Sequence, residues 1–107
     1  MVSKKKRRCW WVYVLRLDGG YYYVGISRDV DKRFQRHLSG KGSVFTRRHK
    51  PVEVVERFSC ENATEAEASV IEMKKVADYA MKFGFNFVSG GGYTRQYHNG
   101  QFFSTTR

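Results

Sequence analysis

At 107 residues the chain can bury one modest core and not two, and 41% hydrophobic with 16% aromatic residues excludes a disordered chain. Twenty Lys and Arg against ten Asp and Glu leave a formal charge of +10, a self-repulsion that polyphosphate offsets, so nucleic acid is the expected partner. No apolar run approaches the ~18 residues of a membrane span, the apolar run after the basic start is too short for a signal peptide, and the distant pair Cys9 and Cys60 excludes a disulfide framework or zinc site; an intracellular protein is expected.

Residues 3–8 form a basic arm, suited to lying along a nucleic acid or to a nuclear address. Residues 10–16 are aromatic and β-branched and read as a strand, Asp18-Gly19-Gly20 as a turn, and residues 21–26 as a second strand completing a hairpin. Strand alternation puts Tyr21 and Tyr23 on one face and Tyr22 on the other. Residues 29–39 read as a helix with Val30, Phe34 and Leu38 as its core stripe, and with Arg33 and His37 stacked four apart beside it. Gly40-Lys41-Gly42 ends that helix, and residues 46–51 read as a basic loop leading through Pro51 into a strand over 52–58. Thr64 and Glu67 make a capping box that opens a helix reaching to about Lys82, with Gly84 as its stop. Residues 85–88 read as a short extended piece, and Asn99-Gly100 as the turn of a terminal hairpin. The order β-β-α-β-α predicts an α+β fold: a small antiparallel or mixed sheet of about three central strands flanked by helices.

Residues 28–50 carry eight basic residues (Arg28, Lys32, Arg33, Arg36, Lys41, Arg47, Arg48, Lys50) against only Asp29 and Asp31, the composition of a phosphate-binding surface. Phosphodiester cleavage needs a base for water, a cation or Arg for the developing charge, and a carboxylate for a metal. The hairpin tyrosines, Arg33 with His37, and a carboxylate on the second helix supply all three. Residue types alone leave that carboxylate open. Glu65 and Glu67 are explained by the helix start, and Glu72 by either a functional role or a surface pairing with Lys75.

At this point the chain resembles the GIY-YIG nucleases. Trp11-Val12-Tyr13 and Tyr23-Val24-Gly25 stand as altered forms of the two signature tripeptides, and Arg33 and His37 follow Tyr23 at the family's spacing. Residues 40–52 (GKGSVFTRRHKPV) are similar to a block of small stand-alone bacterial members, Thr64 to Ala68 with Ile71-Glu72 resembles the helix of the family's catalytic glutamate, and residues 83–91 resemble its "YGxxNVRGG" segment. The first tripeptide keeps only its tyrosine, Asn86 stands one place early, and Ser89 replaces an Arg.

The resemblance implies a metal-dependent DNA endonuclease using one Mg²⁺ or Mn²⁺. It implies a catalytic set of Tyr13, Tyr23, Arg33, His37 and Glu72, with Glu72 the metal ligand and Gly25 giving close approach. Lys32, Arg36, Lys41, Arg47, Arg48, His49, Lys50 and Asn86 become the expected DNA contacts. A tyrosine is expected to activate water, its phenolate favoured by basic surroundings; whether Tyr13 or Tyr23 stays open. The expected division is a basic arm over 1–9, a nuclease domain over 10–93 and a tail over 94–107 able to form a hairpin. The expected product is a nick from each active site of a monomer or a dimer transient on DNA, with a protein partner as one route to targeting and no membrane association. A bacterial or phage-infected cytoplasm is the expected setting, with a nucleus as the alternative. The rival reading is a nucleic-acid-binding module of the same fold with little or no cleavage.

Overall fold

The computed structural model describes residues 9–91, so the basic arm and the terminal hairpin expected from the sequence lie outside the described residues. Two strands, β1 (Trp10–Leu17) and β2 (Tyr21–Ser27), form the hairpin, and Gly19 and Gly20 take the positive φ that its turn requires. There follow α1 (Val30–Leu38), a short α2 (Val44–Arg48), β3 (Pro51–Cys60), α3 (Glu65–Phe83), a single 3₁₀ turn (Phe85–Phe87) and β4 (Val88–Gly90). The sheet order is β3-β1-β2-β4, with β4 parallel to β2 and the other pairs antiparallel. The fold is the α+β layout expected, with a fourth, three-residue strand added.

Strand alternation divides the core in two. Val12, Val14 and Val24 face α3 and pack with Ala68, Val76, Ala80 and Val88. Tyr13, Leu15, Leu17 and Tyr23 face the other way, against Val30, Phe34 and Phe45 of α1 and α2. Tyr22 sits on the α3 side and Tyr21 on the opposite side, as the alternation requires. Trp10 and Trp11 are half-buried, one against each core.

Three local expectations are corrected. In α1, Leu38 is 40% exposed while His37 is 2% exposed. The inward side of this helix meets polar groups, and the ring satisfies both nitrogens there. Residues 44–48 are helical rather than looped, because the Ser43 side chain accepts from the Thr46 N–H and the Thr46 side chain accepts from the Ser43 N–H. Residues 85–87 form a 3₁₀ turn, and extension begins only at Val88, where pairing with β2 starts.

Candidate active site

The site forms where the sheet runs out of strand. β4 accompanies β2 only along Tyr22, Tyr23 and Val24, and among the described residues no strand covers that edge beside Gly25, Ile26 and Ser27. Tyr13 pairs with Gly25 across the hairpin. A Cβ at residue 25 would lie 2.5 Å from the Tyr13 hydroxyl oxygen, so glycine is what lets the ring cross β2 toward the open edge. From the other face, α3 presents its buried stripe of Ala68, Glu72, Val76 and Ala80. The Glu72 side chain reaches the same edge: a Cβ at Gly91 would sit 3.5 Å from Glu72 Oε2 and 3.2 Å from the Tyr23 hydroxyl, and one at Gly90 would sit 3.1 Å from Oε2. Groups from both faces thus meet past the end of a short strand.

They line an open cavity of about 280 Å³ whose walls include Tyr13, Tyr23, Gly25, Arg33 and Glu72, with Trp10, Ile26, Glu65, Ser69 and Gly91. Glu72 is 3% exposed, which removes the reading of a surface glutamate paired with Lys75. Lys75 pairs instead with Glu56, Nζ to Oε1 at 3.0 Å.

His37 stands behind this cavity. Its Nε2 lies 2.9 Å from the Tyr13 hydroxyl and its Nδ1 2.9 Å from Thr46 Oγ1. Burial, then the charges of Arg33 and Arg36, lower its pKa to about 4, so the ring is neutral at neutral pH. Burial, followed by the neighbouring Tyr23, raises Tyr13 well above the usual tyrosine range, against the charge and hydrogen bond of Arg33. Tyr23 is pushed up to about 12 by burial and then by Glu72, while Arg33 and a hydrogen bond from Ser43 oppose the rise. Of the chain's own groups, burial outweighs the basic surroundings and shifts both tyrosines toward the protonated form.

The predicted residues separate spatially. Tyr13, Tyr23, Arg33 and Glu72 come together, and His37 joins them through Tyr13. Arg47, Arg48, His49 and Lys50 instead line a second cavity of about 430 Å³, with His37 and Thr46 on its inner wall. There His49 stacks on Tyr21 with ring centroids 3.6 Å apart. Lys32 and Lys41 are exposed, and Arg36 donates to the Lys41 carbonyl at 3.2 Å. Asn86 is exposed in the 3₁₀ turn and lines neither cavity. Sequence reasoning missed Thr46, Ser43 and Gly42. The first two had a signal, two hydroxyl residues at capping-box spacing. Gly42 had none beyond its place after a helix, yet a side chain there would collide with His37 Nδ1.

The sequence model of the GIY-YIG catalytic domain matches residues 9–80. A UPF0213 protein of Cupriavidus necator is 40% identical over 68 residues, 64% of this chain and 74% of that one. One from Cupriavidus pinatubonensis is 36% identical over 78 residues, 73% and 86% of the two chains. One from Fusobacterium nucleatum is 35% identical over 80 residues, 75% and 77%. No solved structure matches. With the match covering the hairpin with its two tripeptides, residues 40–52 and most of the helix that carries Glu72, the chain belongs to the GIY-YIG catalytic domain family, a family of nucleases.

Proposed function

We propose that the chain is a metal-dependent DNA endonuclease that hydrolyses phosphodiester bonds and nicks one strand per active site. The observation that carries this reading is the cavity at the open edge of β2. It gathers two tyrosine hydroxyls, a guanidinium and a buried carboxylate in about 280 Å³. GIY-YIG nucleases generally use divalent metal ions. The residues fit one: Gly90 and Gly91 leave Glu72 Oε2 bordered by positions that any Cβ would fill. Among the described residues no three His, Cys, Asp or Glu side chains gather. Few protein ligands are on offer, so Glu72 would be the main one with water beside it, the pattern of a weakly stripped hard cation such as Mg²⁺ or Mn²⁺. When bound, the cation supplies charge neutralisation at the scissile phosphate and the leaving oxygen.

The chain's own groups do the rest. Arg33 at the cavity wall holds a phosphate oxygen and meets the charge that develops on it. Tyr13 is the water-activating tyrosine, because its hydroxyl has a built exit for its proton in His37 Nε2 at 2.9 Å. As Tyr13 takes a proton from the attacking water, its own moves to Nε2, so no resident phenolate is required. Tyr23, between Tyr13 and Glu72, orients water beside the carboxylate. Arg47, Arg48 and Lys50 track the flanking backbone.

The test is supercoiled plasmid with wild type and Glu72→Gln, in Mg²⁺ or Mn²⁺ and in EDTA. Open-circle product that needs both metal and Glu72 supports the reading. Intact plasmid and intact branched DNA with wild type, alongside salt-sensitive binding, would replace it with a binding module.

A further inference from the structure

The polar chain behind Tyr13 decides which nitrogen of His37 carries the proton. A neutral imidazole has one donor and one acceptor, and the bond at one nitrogen sets the role of the other. The deciding group is Thr46, 2% exposed, whose hydroxyl has one hydrogen and two lone pairs. The Ser43 carbonyl at 3.2 Å offers that hydrogen an acceptor, and one lone pair accepts the Ser43 N–H at 3.1 Å. The remaining lone pair faces His37 Nδ1 at 2.9 Å and needs a donor. The Ser43 hydroxyl lies 3.1 Å from Thr46 Oγ1 and also favours the Tyr23 phenolate, so it has a second acceptor besides Thr46.

The other end of the ring gives the same answer independently. Tyr13 is fully buried, and its oxygen already accepts from Arg33. A buried O–H must donate to something, and His37 Nε2 stands 2.9 Å away. Gly42 completes the enclosure, since any side chain at that position would strike Nδ1.

We propose that Thr46 is a positioning residue: it accepts the Nδ1 proton of His37 and thereby presents a bare Nε2 to the Tyr13 hydroxyl. The proton path is then one-directional, from water to Tyr13 oxygen and from Tyr13 oxygen to Nε2, with the Nδ1 proton staying in place. The group that fixes the tautomer belongs to α2, the helix whose Arg47 and Arg48 face the second cavity. This assignment rests on the role given to Tyr13 above.

The experiment reads the ring directly. In ¹⁵N-labelled full-length protein without metal at neutral pH, the His37 nitrogens are correlated with the ring protons, in wild type, Thr46→Val and Thr46→Ser. The expected result is a protonated Nδ1 and a bare Nε2 in wild type and Thr46→Ser, and loss of that pattern in Thr46→Val. On the plasmid substrate kcat should fall about 10–100-fold in Thr46→Val with KM little changed, and recover in Thr46→Ser. A merely structural role for Thr46, as an α2 cap, would leave the tautomer of a folded Thr46→Val unchanged and overturns the proposal. A wild-type ring protonated at Nε2 overturns it without any variant, so a Thr46→Val chain that fails to fold leaves the question decidable. If the expected spectra appear but wild type cuts no DNA, the tautomer assignment stands and the nuclease reading falls.

Discussion

At the scale of single residues, Gly25 and His37 make the sharpest predictions. Gly25→Ala places a methyl 2.5 Å from the Tyr13 hydroxyl, so the ring must leave its position over β2. Overpacking of this kind costs about 1–3 kcal/mol, and the displaced hydroxyl should abolish nicking while Glu72→Gln, a near-isostere, abolishes it with little change in stability. Urea titration beside the plasmid assay separates the two. His37 sets a pH window. Its folded pKa is lowered from 6.5 to about 4, so between those values the unfolded chain takes up a proton that the folded chain refuses. Stability therefore falls as pH drops through that window, at up to about 1.4 kcal/mol per unit. The interval from pH 6.5 to 5 lies above the ordinary carboxylate range, so urea midpoints there report His37 together with His49, whose pKa is also lowered, and a folded His37→Gln variant should reduce their slope by the share of His37.

Between elements, one join is testable. The Tyr79 hydroxyl donates to Glu56 Oε2 at 2.7 Å while Lys75 pairs with Oε1, which pins α3 to the edge strand β3. Tyr79→Phe should cost about 1 kcal/mol in a urea titration, a bond to a carboxylate discounted for its partly exposed setting. The same scale shows what the amino-acid order reveals. The hairpin, α1 and α3 were legible because period-two and period-four patterns, Gly19-Gly20 and the Thr64/Glu67 box are local signals. The Leu38 error came from counting hydrophobicity alone. The inward position belongs to His37, whose burial is made tolerable by Tyr13 and Thr46, partners distant in sequence. β4 was illegible for the related reason that three residues become a strand only through Tyr22, Tyr23 and Val24. The gathering of Tyr13, Tyr23, Arg33 and Glu72 was legible by resemblance. The cavity's glycines and the Ser43/Thr46 support were not, since their meaning depends on what lies across from them.

For the whole molecule, charge governs the approach to DNA. With +10 on 107 residues, binding should weaken steeply with salt. Arg47→Ala and Arg48→Ala should each lower the slope of log K against log salt by about 1 if each neutralises a phosphate, with little change in sequence preference. Binding titrations on one duplex at several salt concentrations check this. The arrangement of the two cavities adds a constraint of a different kind. Trp10 and Gly91, near the two ends of the described residues, both border the cavity that Glu72 lines. Any module joined through a short linker before Trp10 or after Gly91 would be leashed beside that cavity. Short flexible linkers give effective concentrations in the millimolar range, so a weak DNA reader attached at either point would act as a strong one. A reader attached at either point would aim the domain without a recognition surface inside it.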